Sequence, residues 1–306
     1  MEILTDVTIV LVCVGVIAKG ATWLVDSASK IAKRLGISEL VIGLTILALG
    51  TSAPEFAVSI LAALKGVGNI AIGNIVGSNI FNLGFILGGT AIIHSLKTSR
   101  ILIVRDGFFL LFGTFILLFF LWDLTLTKFE GGVLFSLLIL YLSYLYVKRE
   151  PLETKQVMGK MHRWDPLMLI GGLAMVLIGA HFMVESAINL ARYMGVSEWV
   201  IGATVIAAGT SAPEFATSLA AALRSRYGMS VGNLIGSDIF NLFGVLGVAG
   251  LLNNIPVSLD ARMHLVFLSL MVALVLVFMR TGWVVSRREG YILVMIGLVR
   301  WINSFI

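Results

Sequence analysis

The residues GTSAPEFAVS at 50–59 return almost unchanged as GTSAPEFATS at 209–218. Slid against itself by 159 residues, the separation of Glu55 from Glu214, the chain aligns ISELVIGLTILALGTSAPEFAVSILAALKGVGNIAIGNIVGSNIFNLGFILGG with VSEWVIGATVIAAGTSAPEFATSLAAALRSRYGMSVGNLIGSDIFNLFGVLGV without a gap, about half the positions being identical. Upstream, GATWLVDSASKIAKRLG meets GAHFMVESAINLARYMG. A long repeat of this kind makes each half of the chain one structural unit, and whatever one half builds the other must build again.

The medium in which the halves fold follows from composition. Of 306 residues, 58% are hydrophobic and 13% charged, with a mean hydropathy of +1.01, far above a soluble domain. A spanning helix needs about 20 mostly apolar residues. By that ruler ten segments qualify, beginning near Asp6, Leu40, Ile70, Ile101, Gly131, Asp165, Glu198, Met229, His264 and Gly290. The expectation is an all-α membrane protein of ten transmembrane helices: residues 1–147 as a first five-helix repeat, 148–164 as a polar linker, and 165–306 as the second repeat. An odd number of crossings per unit forces the second copy to enter the membrane from the opposite side, so the repeats are inverted, an architecture of secondary transporters that some channels share.

Assigning Lys and Arg to alternate loops is lopsided. One side receives Lys30, Lys33, Arg34, Lys97, Arg100, Arg105, the linker cations, Arg224, Arg226, Arg280, Arg287 and Arg288, and the other only Lys65, Lys128, Arg192, Arg262 and Arg300. Short basic loops stay cytoplasmic, which predicts a multi-pass protein of the cell membrane with both termini outside and the linker inside. The formal charge of +5 therefore needs no nucleic acid. The first segment has no basic n-region and no A-x-A site, so it reads as a retained span. One cysteine, Cys13, excludes an internal disulfide and is expected to face lipid.

Each repeat carries a proline inside its acid-bearing word, directly before the acid. Pro54 and Pro213 cannot donate a backbone hydrogen bond, so helices 2 and 7 should be broken and the stretches Ala48 to Thr51 and Ala207 to Thr210 should contain unpaired carbonyls. In hydrocarbon that is costly unless the carbonyls, the Thr and Ser hydroxyls and the Glu carboxylate surround a hard cation. Ca²⁺ takes roughly six to eight oxygens and Na⁺ fewer. Ionisable groups inside a membrane are functional candidates by default, which singles out Glu55 and Glu214. The second repeated word, GNIVGSNIFN at 73–82 and GNLIGSDIFN at 232–241, stacks Ser78 on Asn82 and Ser237 on Asn241 along one helix face. Its glycine pairs, Gly73 with Gly77 and Gly232 with Gly236, have the spacing that lets helices approach closely. Asn79 and Asp238 fall a step off that face, and Asp238 reads as a residue standing behind the ion ligands or as helix packing, with direct ion contact the lesser alternative. Asp26 and Glu185, matched in the repeat, read as interfacial charges.

At these two words the chain resembles the cation/Ca²⁺ exchanger superfamily, most closely the prokaryotic sodium/calcium exchangers. The resemblance implies Glu55 and Glu214 as shared central carboxylates, Thr51 and Thr210 as Ca²⁺ ligands, and Ala48, Ser52 and Ser78 as a flanking Na⁺ site with Ala207, Ser211 and Ser237 as its mirror. It places Asn82 and Asn241 at the central position and implies that helices 1 and 6 slide across the others. Relatives often carry an acid where this chain has Asn241, so the central cluster is expected to hold two carboxylates, and K⁺ transport is disfavoured.

The resulting expectation is an antiporter, not an enzyme, that exchanges Ca²⁺ for Na⁺ by alternating access, with no cofactor and no obligate protein partner beyond the lipid bilayer. The alternative is an H⁺/Ca²⁺ or other divalent-cation antiporter that protonates the same glutamates. A channel would want a pore lined along its length, and an intramembrane hydrolase would want two acids sharing a proton beside a bound water. Neither pattern is present in the two words.

Overall fold

The structure, a computed structural model, describes residues 2–148, 162–196 and 207–303. In chain order its helices are α1 (Glu2–Leu35), α2 (Glu39–Thr51), α3 (Ala53–Leu64), α4 (Gly68–Ile93), α5 (Leu102–Asp123), α6 (Lys128–Val147), α7 (Asp165–Tyr193), α8 (Ala207–Thr210), α9 (Ala212–Leu223), α10 (Tyr227–Leu252), α11 (Leu259–Arg280) and α12 (Arg287–Asn303). Seven of these are long and apolar enough to cross a membrane, and the α2–α3 pair, bent by 52°, adds an eighth if it is one span. The linker around Lys155 and Lys160 and the expected start of helix 7 near Glu198 lie outside the described residues.

The break between α2 and α3 has the cause expected. Ser52 sits between them at φ −79°, ψ 10°, and Pro54 follows inside the first turn of α3. Ser211 repeats this between α8 and α9, at φ −90°, ψ 6°, ahead of Pro213. Proline is well suited to a first turn, where its missing N–H has no partner to lose, so each proline ends one helix and starts the next.

Contacts across the molecule come in matched pairs. Two short antiparallel ladders join β1 (Leu96–Lys97) to β4 (Val284–Val285) and β2 (Thr125–Leu126) to β3 (Ile255–Pro256). The first pairs Leu96 with Val285 and the second pairs Leu126 with Ile255. Moving along the chain by the repeat offset turns one ladder into the other, with the two halves exchanged. The capping box that opens α6, Thr127 with Glu130, recurs at α12 as Ser286 with Glu289.

Helices α4 and α10, which carry the second repeated word, occupy the centre. The apolar window of α10 is 89% buried and that of α4 67%, against 22% for α1 and α7. The outer pair packs lengthwise, and a Cβ at Gly20 would stand 2.8 Å from the carbonyl oxygen of Gly172. Cys13, expected to face lipid, is instead 7% exposed. It lies on the same stripe as the buried Ile17, Leu24 and Ala28, the face that α1 turns inward.

The expected close approach holds at Gly232 and Gly236, where a Cβ would come within 2.8 Å of Leu40 O and 2.7 Å of Leu44 Cα. The matching neighbours of Gly73 and Gly77 would be residues 199 and 203, which lie outside the described residues. At one end of the molecule the charges are paired. Asp26 of α1 accepts from Arg224 at 3.1 Å and Arg226 at 3.2 Å, Arg226 also reaches Glu39 at 3.5 Å, and Lys30 meets Asp165 at 2.9 Å. Asp26 is thus more than a solvated end charge: it ties the outer helix α1 to the loop between α9 and α10.

Candidate functional site

Glu55 and Glu214 are each 1% exposed, in the first turns of α3 and α9. Each is held by the opposite half of the chain. Ser211 donates its hydroxyl to Glu55 Oε1 at 3.2 Å, and Ser52 donates to Glu214 Oε1 at 3.0 Å. The two glutamates are near enough to sense each other's charge, and the hydroxyls of Thr210 and Thr51 lie against Glu55 and Glu214 respectively. Burial without a cationic side chain is expensive for a carboxylate, and among the described residues no Lys, Arg or His pairs with either one.

The remaining predicted residues gather around this pair. Ser237 donates to Glu214 Oε1 at 3.4 Å and lies 3.4 Å from Thr51 Oγ1. Ser78 is buried, yet among the described residues no hydrogen bond from it to Glu55 mirrors this contact. Ala48 is fully buried at the start of the last turn of α2, and Ala207 opens α8. The carbonyl of Ala48, expected among those freed by the proline, accepts from Ser52 N at 3.0 Å and from Thr51 Oγ1 at 3.4 Å. Pro54 deprives only the carbonyl four residues before it, that of Gly50, so the break is narrower than the sequence suggests.

A second layer joins α4 to α10. Asn82 Nδ2 donates to Asp238 Oδ1 at 2.9 Å, and Asn241 Nδ2 donates to Asn79 Oδ1, also at 2.9 Å. Asn79 Nδ2 further donates to the backbone carbonyl of Asp238 at 3.1 Å. Asn79 and Asp238, a step off the polar face in the sequence, are 0% exposed and bonded directly to the two central asparagines, which puts Asp238 behind Asn82. A helix buried on nearly every side has no spare face, so residues one step round from Asn82 and Asn241 meet the facing helix as well. Both asparagines also fall in π-helical turns, Asn82–Leu87 and Phe240–Val245, which shift the register of the positions around them. Among the described residues the buried acids of this region are Glu55 and Glu214 with Asp238 behind them.

Behind each glutamate the framework is again doubled: Asn74 Nδ2 donates to Ser59 Oγ at 2.9 Å and Asn233 Nδ2 to Ser218 Oγ at 3.0 Å. What the cluster leaves over is acceptors. Glu55 Oε2, Glu214 Oε2, Asn82 Oδ1, Asn241 Oδ1 and Asp238 Oδ2 are buried with no hydrogen-bond donor among the described residues. An orphaned buried acceptor costs roughly 1–3 kcal/mol, more when charged, so five in one region is a large deficit that a bound cation would offset. All five are oxygens, the ligand type that suits hard cations such as Ca²⁺ and Na⁺.

A helical protein with several membrane-crossing segments and a buried, acid-bearing, all-oxygen centre built from both halves of its chain belongs to the class of membrane ion exchangers. The sodium/calcium exchanger protein family matches residues 6–147 and 164–299, and the chain belongs to that family. It is 35% identical over 327 residues to the sodium/calcium exchanger MaX1 of Methanosarcina acetivorans, covering 91% of this chain and 92% of that protein. It is 36% identical over 270 residues to the membrane protein MJ0091 of Methanocaldococcus jannaschii, covering 86% and 87%. A solved structure of the sodium-calcium exchanger NCX_Mj superposes with a TM-score of 0.87 at 30% identity, covering 99% of this chain and 100% of that one.

Proposed function

We propose that the protein is a secondary-active antiporter that moves Ca²⁺ against Na⁺ across the cell membrane, both ions using the cluster around Glu55 and Glu214 at different times. The observation that carries this reading is the set of unpartnered buried oxygens on residues from both repeats. Ca²⁺ would sit between the two glutamates with the hydroxyls and carbonyls at Thr51 and Thr210. Na⁺ would take the flanking positions near Ala48, Ser52 and Ser78 and near Ala207, Ser211 and Ser237, with Asn82 and Asn241 at the centre. Two ionised glutamates neutralise one Ca²⁺, and Na⁺ must bind in numbers to replace it.

Ten spans in two inverted five-helix units, 1–147 and 165–306, accommodate the matched contacts and an alternating opening to the two sides. The outer pair α1 and α7, little buried and packed on each other, is suited to slide as one body over the core. Both termini outside and the 148–164 linker in the cytoplasm follow from the distribution of Lys and Arg. No cofactor or obligate protein partner is needed for this cycle.

The rival is H⁺/Ca²⁺ exchange, in which the two glutamates take protons in place of Na⁺. The hydroxyl- and amide-rich surround favours Na⁺, because a proton needs no such cage. Proteoliposomes loaded with Na⁺ and diluted into Na⁺-free buffer should accumulate ⁴⁵Ca²⁺, while an imposed pH gradient alone should not. Uptake driven by the pH gradient and indifferent to Na⁺ would transfer the reading to the rival.

A further inference from the structure

The internal repeat makes an unintended comparison at one position. Asn79 and Asp238 occupy the same place in the two halves, accept the same hydrogen bond from Asn241 and Asn82 respectively, and are both 0% exposed. They differ in one atom and one charge. Asn79 uses its amide to donate to the backbone carbonyl of Asp238 at 3.1 Å. The mirror bond, from residue 238 to the carbonyl of residue 79, cannot be made by an ionised carboxylate, which has no donor. Asp238 Oδ2 is accordingly left buried with no partner among the described residues. As a packing residue Asp238 is worse than the asparagine its own chain shows to fit the same place. Something other than packing must hold the charge there.

The surroundings say what that is. Asp238 lies one residue from Ser237 and holds the amide of Asn82, and it lies near enough to Glu214 to feel that residue's charge. No Lys, Arg or His pairs with it among the described residues. Nor do three acids come close enough to share one ion among those residues, so Asp238 is no joint ligand of the Ca²⁺ between the glutamates. Its influence reaches that ion through the field of the carboxylate in a low-dielectric interior and through the orientation it imposes on Asn82, whose Oδ1 is itself unpartnered.

We propose that Asp238 is a specificity-determining charge of the ion cluster, raising its affinity for cations, and for divalent over monovalent ones, from a position one side chain behind Asn82. The physics fixes the pattern. A single negative charge at a given distance attracts a divalent ion with twice the energy it gives a monovalent ion, so its removal weakens Ca²⁺ by about the square of the factor by which it weakens each Na⁺. A residue that merely packs has no such dependence on the charge of the ligand.

The inference rests on the cluster being the ion site of the proposed exchanger, and the experiment separates the two. Purified full-length protein in detergent is titrated with Ca²⁺, and separately with Na⁺, by isothermal calorimetry, for the parent, Asp238→Asn and the double variant Asp238→Asn/Asn79→Asp. The double variant moves the carboxylate to the mirror position and keeps both hydrogen bonds to the central asparagines. The expected result is a Ca²⁺ affinity about tenfold or more weaker in Asp238→Asn, an Na⁺ shift about half as large on a logarithmic scale, and recovery of both in the double variant. Asp238→Asn binding both ions as the parent does would overturn the proposal, since the carboxyl would then act as a neutral hydrogen-bonding group. Equal losses for the two ions that the mirror variant leaves unrepaired would overturn it also. A parent that binds no Ca²⁺ contradicts the proposed function itself, and the inference falls with it.

Discussion

Ser52 and Glu214 are 162 residues apart in the chain and 3.0 Å apart in the fold. The mirror pair, Ser211 and Glu55, stands at 3.2 Å. Neither half can complete its acid alone, and any motion that separates the halves must break or exchange these bonds. A hydrogen bond to a charged acceptor contributes roughly 1.5–3 kcal/mol, or about tenfold to a hundredfold in affinity. Ser52→Ala and Ser211→Ala should each weaken Ca²⁺ binding by about tenfold, read by calorimetry. The double variant should depart from the product of the two factors, because the two glutamates share one ion and feel each other's charge. Parent-like affinity in both single variants would mean that the crossed bonds play no part in the site.

Much of this was legible before the fold was seen. A repeated acid beside a repeated proline inside apolar sequence predicts a buried, doubled polar site, and Glu55, Glu214, Ser52, Ser211, Ser237, Asn82 and Asn241 are all found in it. The crossing of the halves was not legible, because Ser52 and Glu55 share a word and local reading joins them to each other. The bond between Asp238 and Asn82 is not legible for a related reason. An ideal helix with one polar stripe sets it aside, whereas α10 is enclosed almost all round and passes into a π-helical turn at Phe240. At Ala48 the sequence marks only a stretch of four residues that should contain a freed carbonyl, and the proline's lost donor concerns the carbonyl of Gly50. Cys13 was assigned to lipid from composition, which does not tell which stripe of α1 turns inward.

Close packing of the core predicts a contrast between glycines. A Cβ at Gly236 would stand 2.7 Å from Leu44 Cα, whereas one at Gly15 meets nothing within 4 Å. Gly236→Ala forces backbone apart beside the site and should cost about 1–3 kcal/mol, with a lower melting temperature and impaired transport. Gly15→Ala, on an exposed face of α1, should match the parent in thermal melts. Equal melting temperatures for the two variants would contradict the tight seat of α10 on α2.

The ion pairs at the end of α1 should contribute unequally. Arg226 is 3% exposed and pairs with both Asp26 and Glu39, while Arg224 is 30% exposed and among the described residues pairs with the one acid Asp26. Arg226→Ala leaves partly buried acids without a cation and should destabilise by about 2 kcal/mol, below the full penalty for a wholly buried pair because Asp26 is open to solvent. Arg224→Ala should cost about 0–1 kcal/mol, as exposed pairs do. Thermal unfolding in one detergent and one salt concentration ranks them, and a larger loss for Arg224→Ala would reverse the assignment.

The distribution of Lys and Arg predicts that residue 156 faces the cytoplasm. In a chain with Cys13 replaced by Ala, a cysteine introduced as Gln156→Cys should resist membrane-impermeant thiol reagents in intact cells and react after the membrane is opened. Ready labelling of intact cells would invert the topology and exchange the two sides of the proposed cycle.

The central claim is that one Ca²⁺ is held by two glutamates contributed by the two halves. Calcium titration of the purified protein by isothermal calorimetry, at low Na⁺, tests it most directly, with Glu55→Gln and Glu214→Gln beside the parent. The glutamine keeps the shape and the serine hydrogen bond but removes one of the two charges facing the ion, a loss of about a hundredfold or more in affinity. The account predicts one Ca²⁺ per chain for the parent and no measurable binding for either variant, with both variants remaining monodisperse. Retention of parent-like binding by either one would contradict it.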